Sequence, residues 1–303
     1  SVDVVHGRIT TVDFDTSKVS VELASGSTRE ITYDYFVVAT GVSNGFWRHD
    51  RVEDLATIDT ELSAINAELN GAGTIAVVGG GATGVSVADN LARAGRSKVH
   101  LFHSGEEPLP GYHPSVRRWM ARQLATDGVT VHPDHRAVVP SDFRGDQLTH
   151  DAVEWSTGQE AFNADVTLWA LGGVTPHSAF LPASVLDDEG FVIVDKNLRV
   201  PEHPNVFAVG DIAASDPLRS SARNWGFRIV VTNVKELVRN RPTKLKTYKA
   251  TEYRWGSILG MQDDGLTVVQ PNGKRFRIPR KLAEPLLFSV FVQRILYGGL
   301  RKR

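Results

Sequence analysis

The chain has 303 residues, a length that suggests two domains. Its 34 basic and 35 acidic residues nearly cancel, which argues against a nucleic-acid binder. It has no cysteine, so this sequence contains no disulfide, no thiolate metal site, no cysteine nucleophile and no redox-active dithiol. No stretch reads as a spanning helix, and none as a signal peptide. We expect a protein that is cytoplasmic or peripheral to the cytoplasmic face of a membrane.

The first forty residues show the short alternating runs that are typical of strands. Strands are predicted at 2–5, 10–14 and 19–23, with a turn at Ser25–Ser27. The apolar run 35–39 predicts a buried strand that ends at Thr40 and Gly41.

The strongest local pattern begins after a predicted helix at 59–70. Its elements are a strand at 74–78, a glycine turn at 79–84, a helix at 85–94, a strand at 99–102, a helix at 114–126 and a strand at 129–132. This βαβαβ order predicts a parallel sheet with helices on both faces.

The remaining chain is predicted to be mostly strands and one long helix. These elements are a small meander at 137–163, strands at 166–170, 192–194 and 205–209, a helix at 222–238, and a hairpin at 266–278. We expect a type I′ turn at Asn272 and Gly273 in that hairpin.

Gly79-x-Gly81-x-x-Gly84 follows a predicted strand and opens a helix, which favours dinucleotide binding. Gly79 allows a tight turn, Gly81 lets a pyrophosphate approach the backbone, and Gly84 lets helix and strand pack closely. Ala82 and Thr83 lie in the same turn and are predicted to contact the cofactor, and the N-terminus of the helix that follows faces the anion.

The following strand ends at His103 and Ser104, where a carboxylate would select NAD by binding the ribose 2′-hydroxyl. Because neither residue is acidic, NADP is admissible. The alternative is that both are ordinary loop residues and that Glu106 or Glu107 reaches the ribose.

Three strand ends occur in series, VVATG at 37–41, LWALGG at 168–173 and VFAVGD at 206–211. With YDYFVVATG, AVVGGGATG and NLRVPEHPNVFAVGD in this order, residues 1–240 resemble the two-dinucleotide flavoproteins, the pyridine-nucleotide-dependent FAD oxidoreductases. Within that family the chain is most similar to the ferroptosis-suppressor and apoptosis-inducing-factor-like branch and to type II NADH dehydrogenases. The segments FHS at 102–104 and PSVRRWMARQL at 114–124 carry this likeness.

The resemblance implies an α/β fold with two Rossmann-like three-layer domains and a small α+β C-terminal region. The domains would be an FAD-binding domain at 1–45 and 174–240, an NAD(P)-binding domain at 46–173, and a C-terminal region at 241–303. It implies an oxidoreductase that passes hydride from NAD(P)H to FAD and electrons to a quinone-like acceptor. Further cofactor contacts would come from Thr40, Gly41, Gly172, Gly210 and Asp211.

The sequence departs from the family pattern in two places. An N-terminal FAD fingerprint is missing, and the chain starts at Ser1 inside a predicted strand, so we expect a truncated protein. Ser86 stands where relatives carry a glutamate close to the nicotinamide. These departures keep open the alternative of a non-catalytic nucleotide-sensing or interaction protein. A separate alternative, within the same chemistry, is a soluble reductase of ferredoxin or another protein acceptor.

No catalytic residue is certain, and Arg219 and Ser86 are the candidates. Arg219, Arg223, Asn224 and Trp225 either approach the flavin or form a charged helix start, with Trp225 read as a packing residue. Arg117, Arg118 and Arg122 are read as a solvated helix face rather than a 2′-phosphate site. The histidines lack metal-ligand spacing, so no metal site is predicted.

The last residues, 281–303, form an apolar segment with basic ends. This pattern favours a helix at a membrane surface. The alternatives are a helix docked on the body of the protein or on a second copy in a homodimer.

Overall fold

A computed structural model describes residues 2–43, 53–95, 97–141, 143, 145, 147–171 and 173–296. Its strands are β1 (Gly7–Asp13), β2 (Lys18–Leu23), β3 (Thr28–Thr32), β4 (Phe36–Val38), β5 (Val42–Ser43), β6 (Thr74–Val78), β7 (Lys98–Phe102), β8 (Thr130–His132), β9 (Val166–Trp169), β10 (Thr175–Pro176), β11 (Val206–Ala208), β12 (Met261–Gln262), β13 (Gly265–Val269) and β14 (Arg275–Ile278). Its helices are α1 (Leu55–Gly71), α2 (Ala82–Arg93), α3 (Pro114–Thr126), α4 (Gly226–Val238) and the short α5 (Arg280–Leu282), which continues as a π-type helix over Ala283–Leu296.

The chain divides into two compact units. We call the one within 44–173 and 253–303 the nucleotide unit, and the one within 4–43 and 174–252 the second unit. The structure therefore groups 241–252 with the second unit, whereas the sequence prediction grouped them with the C-terminal region. The assignment of FAD to one unit and NAD(P)H to the other stays a prediction.

The nucleotide unit is built on a parallel sheet in the order β8-β7-β6-β9. Ile75 and Val77 of the central strand are fully buried against residues of α1, α2 and α3. The predicted βαβαβ order is thus confirmed over β6 to β8. A strand that is buried on both faces has a continuous apolar sequence, as TIAVV of β6 does.

The prediction of helices on both faces of this sheet is wrong. Ala76, Val78 and Phe102 point to the face opposite α1–α3, where Trp155 and Trp169 share their core. Residues 137–163 cover this face, and they form isolated bridges such as Val153 with Phe162 rather than the predicted meander. Large aromatic side chains bury enough apolar area here for a segment without regular structure to replace a helix.

The second unit contains an antiparallel sheet, β1-β2-β3, and a parallel pair, β4 with β11. Val12, Val19, Val38 and Val206 lie in one core cluster. Residues 2–5 are not a strand, since pairing begins at Gly7. Residues 192–194 are not one either, because Val192 makes only isolated bridges.

The helix predicted at 222–238 begins only at Gly226. Trp225 before it is left-handed, with φ 63°, and a left-handed residue cannot continue an α-helix. Gly226 itself lies close to the backbone of Ser221, and a Cβ on Gly226 would come within 2.6 Å of the Ser221 carbonyl oxygen. Backbone crowding therefore sets this helix boundary.

The hairpin of β13 and β14 forms as predicted, but its turn is not type I′. A type I′ turn needs positive φ at both central residues. Gly273 has φ 80°, whereas Asn272 is not among the residues with positive φ. The Gly273 N–H donates to the Gln270 carbonyl and the Gln270 N–H to the Lys274 carbonyl, as in a three-residue loop with a bulge.

Within the nucleotide unit, the C-terminal segment from 253 onward packs against α3. Ile258, Leu259 and Val269 belong to the same core cluster as Val116 and Met120 of α3. No helix in the described part of the chain is long and apolar enough to cross a membrane.

Helices α2 and α3 are joined by a charged link. Asp89 of α2 is fully buried, and the Arg93 Nε lies 3.1 Å from its Oδ2 and 3.2 Å from Oδ2 of Asp127, the C-cap of α3. The other carboxylate oxygen of Asp89 forms no hydrogen bond among the described residues. Burial, together with the nearby Asp127 carboxylate, raises the pKa of Asp89 to about 7.

The raised pKa of Asp89 predicts that stability falls as the pH rises from about 4 to about 7, because the folded state favours the protonated acid. Asp89→Asn is expected to flatten this slope and to stabilise the protein at pH 8 by about 1–3 kcal/mol. Asp127→Asn is the matched control. The pKa of Asp127 is lowered by its hydrogen bonds and by Arg93, despite its partial burial, so the same change there should destabilise at pH 8. Urea unfolding at pH 5 and pH 8 measures the free energy of unfolding of both variants. If its change with pH in Asp89→Asn equals that of the wild type, the prediction is contradicted.

Candidate functional site

The glycine turn after β6 is shaped by two close backbone contacts. Gly79 has φ 132°, and a Cβ there would lie 2.0 Å from the Ala170 carbonyl oxygen at the end of β9. A Cβ on Gly84 would lie 1.9 Å from the Gly79 carbonyl oxygen. Neither position can carry a side chain, so α2 begins in direct contact with the strand that precedes it.

Gly81, unlike Gly79 and Gly84, has free space where a side chain would lie. It is the N-cap of α2, in an extended conformation, and a Cβ placed on it would have no atom within 4 Å. It supplies no side-chain cap, and the first turn of α2 contains no acidic residue. The first N–H groups of a helix have no partner within it, so this N-terminus can hold a phosphate group. The residues present therefore fit a pyrophosphate.

A loop between β7 and α3 covers one side of the turn. The Leu109 N–H donates to the Gly80 carbonyl at 2.7 Å, and Leu109 is buried with φ 63°. Arg117 supports this loop, since its guanidinium donates to the carbonyls of Glu107 and Pro108 and pairs with the Glu107 carboxylate at 3.3 Å. Arg117 thus holds the loop rather than forming the solvated face that the sequence suggested.

His103 lies directly behind the turn. A Cβ built on Gly80 would come within 2.6 Å of the His103 Cβ. The side chain is 5% exposed, and neither ring nitrogen forms a hydrogen bond among the described residues. Burial lowers the pKa of His103, so the ring is neutral at pH 7. Ser104 next to it is exposed. His103 thus lies beside the glycine turn, and its contact with a nucleotide ribose stays a prediction.

Ser86 is held on α2 by a residue that the sequence analysis did not single out. Asn90 Nδ2 donates to the Ser86 carbonyl at 2.7 Å, and Gln262 Nε2 donates to Asn90 Oδ1 at 3.1 Å. Gln262 also donates to the Leu259 carbonyl at 2.8 Å. The C-terminal segment is therefore tied to the helix that carries Ser86.

In the second unit, two glycine turns end the parallel strands. Gly210 has φ 93°, and its N–H donates to the buried Ser221 hydroxyl at 2.8 Å. Asp211 after it is exposed and does not cap α4, whose N-cap is Trp225. The Thr40 hydroxyl donates to the His177 carbonyl at 2.8 Å, and the His177 N–H donates to the Gly41 carbonyl. Gly172 lies outside the described residues.

The residues after the Gly210 turn are arranged around an unexpected carboxylate, Asp216. Its oxygens accept hydrogen bonds from the Ser220 hydroxyl and N–H, at 3.0 Å each, and from the Tyr248 hydroxyl at 2.9 Å. Asn224 Nδ2 donates to the same Tyr248 hydroxyl at 3.2 Å. These hydrogen bonds lower the pKa of Asp216 against the opposing effect of burial, so it is ionised at pH 7.

Arg219 lies in this segment, but its guanidinium has nearby partners. It pairs with Glu189 at 2.7 Å and stacks 3.7 Å above the Phe191 ring. Trp225 is 40% exposed, with the Arg228 guanidinium 4.2 Å from its ring centre. The role of Arg219 at a flavin stays a prediction.

Three relatives place these features in context. The chain is 28% identical to oxidoreductase ptaL of Pestalotiopsis fici, over 96% of this chain and 76% of that one. It is 26% identical to ferroptosis suppressor protein 1 of Xenopus tropicalis, over 81% and 66%. It is also 26% identical to the type II NADH:quinone oxidoreductase NdhA of Mycobacterium tuberculosis, over 79% and 58%.

Among solved structures, the chain matches reduced CoADR-RHD of Bacillus anthracis with a TM-score of 0.61 at 14% identity. The match covers 86% of this chain and 47% of that one, and it shows the fold alone. The chain thus spans about half to three quarters of the length of these proteins. The α/β architecture with parallel sheets is that of FAD- and NAD(P)-dependent oxidoreductases.

The glycine turn that opens α2 and the two turns that end the parallel strands all fall within a segment, residues 1–240, that matches the model described as pyridine nucleotide-disulphide oxidoreductase. The chain belongs to this family of flavin-dependent NAD(P)H oxidoreductases, as its motifs predicted.

Proposed function

We propose that this chain is part of an enzyme that takes hydride from NAD(P)H, through FAD, and delivers electrons to a quinone-like acceptor. The observation that carries the proposal is the open space at Gly81. We call this position, together with the first N–H groups of α2, the cradle. The closed contacts at Gly79 and Gly84 fix the start of α2, and Gly81 alone leaves room for a ligand. A dinucleotide pyrophosphate fits this combination.

FAD would supply the hydride acceptor and the electron relay when bound. In this chain the residues that would contact it are Thr40, Gly41, Gly210 and Asp211. The Ser221 hydroxyl and the His177 backbone hold the two turns in shape. The sequence contains one strand-GxGxxG-helix motif, at 74–93, so a second pyrophosphate loop is not supplied by these 303 residues. FAD is therefore proposed for the whole enzyme rather than for the second unit alone.

The acceptor that we propose is quinone-like. These 303 residues contain no cysteine, so a dithiol for disulfide reduction would have to come from outside them. The relative NdhA is named for NADH:quinone chemistry. Ser86 cannot serve as a carboxylic acid or base, so in this proposal hydride transfer depends on the orientation of the two rings.

The reaction is tested by mixing the purified protein, after its flavin content has been measured, with NADPH or NADH without oxygen. We expect the flavin absorbance near 450 nm to bleach, and to return when a soluble ubiquinone analogue is added. Return with ferredoxin but not with the quinone would instead favour a protein acceptor. A bound flavin that never bleaches would contradict the proposal, and nucleotide binding without flavin would favour a nucleotide sensor.

Gly81→Ala separates ligand binding from folding. Its new methyl group meets no protein atom, so the melting temperature should stay unchanged. It would stand in the path of the pyrophosphate, so nucleotide affinity should fall by about tenfold or more, ~1.4 kcal/mol. Gly71→Ala, at the end of α1 and equally open, is the matched control. Calorimetric titration with NADPH measures both, and equal affinities would rule out this cradle as the binding site.

Ser104→Asp tests which nucleotide the enzyme prefers. The added carboxylate would repel a 2′-phosphate and accept a hydrogen bond from a free 2′-hydroxyl. We expect the ratio of NADPH to NADH affinity to fall by about tenfold. Ser104→Asn has nearly the same shape without the charge and should leave the ratio close to that of the wild type. Titration of all three proteins with both nucleotides decides whether residue 104 lies beside the ribose.

A further inference from the structure

Two histidine side chains meet on the face of the nucleotide-unit sheet that residues 137–163 cover. His100 lies on β7 and His132 ends β8, and both are half-buried. The His100 Nδ1 lies 3.0 Å from the His132 Nε2, a hydrogen-bond distance between two ring nitrogens. We call this contact the histidine pair. Neither the cradle nor the proposed reaction uses it.

The pair can hold one added proton but not two. A neutral imidazole has one N–H donor and one acceptor nitrogen, so either ring can donate to the other. The contact survives when one ring is protonated, because a charged N–H then faces a lone pair. When both rings are protonated, two positively charged N–H donors face each other across 3.0 Å. Double protonation therefore breaks the contact.

The rings around the pair are uncharged. The centre of the His132 ring lies 4.3 Å from that of the buried Phe102, and the two rings are stacked. Residues 137–163 meet the pair through Phe162, whose ring centre lies 4.8 Å from that of His100 and 6.1 Å from that of His132. An apolar covering of this kind disfavours charge on either histidine.

The charged groups that act on the pair are basic. Burial lowers the pKa of His100, helped by Lys98 on β7, and burial lowers the pKa of His132, helped by His100 and by His135 after β8. A histidine in the unfolded chain titrates at about pH 6.5, so below that pH the unfolded chain binds more protons than the folded one. The stability that the neutral pair provides is therefore present above about pH 6.5 and is lost as the pH falls.

The pair is joined to the glycine turn through the backbone. The His132 carbonyl accepts a hydrogen bond from the His103 N–H at 3.1 Å, and the His135 N–H donates to the His103 carbonyl at 2.9 Å. One residue earlier, the Phe102 carbonyl accepts from the Gly79 N–H at 2.8 Å. The loop that begins at His132 thus holds the end of β7, and the end of β7 holds the turn.

We propose that the histidine pair is a proton-operated latch on the end of β7. While at least one ring is neutral, the pair keeps the loop 132–135 against residues 102–105. When both rings are charged the latch opens, and the backbone hydrogen bonds between these two segments are lost. Opening also lowers the affinity of the glycine turn for a dinucleotide, a step that rests on the proposed function.

Hydrogen–deuterium exchange without nucleotide tests the latch itself. Protection factors, which correct for the pH dependence of the exchange chemistry, are measured at pH 7.5 and pH 5 for peptides that cover 99–105 and 130–136. In the wild type we expect protection to fall about tenfold at pH 5, while peptides from β1 and β2 keep theirs. An unchanged protection factor in the wild type would overturn the latch.

Two variants remove the second charge and keep a polar contact. His100→Asn places an amide near the position of Nδ1, and His132→Gln places one near the position of Nε2, so we expect both to keep their protection at pH 5. His150→Gln is the matched control, because His150 is 64% exposed and pairs with Glu68 instead, and it should behave as the wild type does. Equal losses in the wild type and in both pair variants would overturn the latch.

Two other groups in this unit titrate apart from the pair. Asp89 has the opposite pH dependence, because its pKa is raised to about 7. Burial lowers the pKa of His103, whose charged neighbours are Asp134, His135 and Arg117. Asp89 and His103 are present in every variant, so a difference between variants reports on the pair.

Calorimetric titration with NAD⁺ at the same two pH values tests the effect on the nucleotide. NAD⁺ has no 2′-phosphate, a group whose own titration at about pH 6 would add to the result. We expect the affinity to fall about tenfold at pH 5 in the wild type and in His150→Gln, and by less than about threefold in the two pair variants. An equal fall in all four proteins would assign the effect to His103 or Asp89 and overturn the proposed link. If NAD⁺ binds at neither pH while exchange follows the pair, the proposed function fails and the latch is supported.

Discussion

The cradle depends on the close approach of backbone to backbone at Gly79 and Gly84. The turn at Gly79 is pressed against the carbonyl group of Ala170, and Gly84 is pressed against Gly79 in turn, at separations where no Cβ fits. These contacts join β6, β9 and the first turn of α2 without any side chain between them. The direction of α2, and so the direction of its unpaired N–H groups, depends on the absence of a Cβ at these two positions. The proposed ligand site depends on this geometry.

Patterns that are local in sequence predicted the nucleotide unit well. The helix α3 begins at Pro114 and ends at Thr126 as expected, because proline suits a first helical turn and residues 117–125 are mostly good helix formers. The parallel strands followed from continuous apolar runs. In contrast, the start of α4 depends on a left-handed Trp225, and the hairpin turn on the backbone angle of Asn272. Tertiary packing selects such angles, and residue type alone does not reveal them.

The site itself shows the same division. The three glycines were predicted from their spacing, and His103 from its place at the end of the next strand. Their partners come from far away, Ala170 from the end of β9 and Gln262 from the C-terminal hairpin. No spacing rule connects residue 79 with residue 170. A single sequence therefore predicts the chemistry of the turn but not the groups that keep it closed.

Helix α2 meets opposite demands at its two ends. Its N-terminus leaves N–H groups open, without an acidic residue in the first turn, which suits an anion. Its last turns carry Arg93, which complements the helix dipole, and the buried Asp89, which opposes it. The cost of that buried carboxylate is met partly by Arg93 and partly by the raised pKa, which lets a proton neutralise it. Since Arg93 also holds Asp127 of α3, the charge on Asp89 acts on the junction that fixes the far end of the helix. The charge state of Asp89 therefore acts at the α2–α3 junction, about two helical turns from the glycine turn.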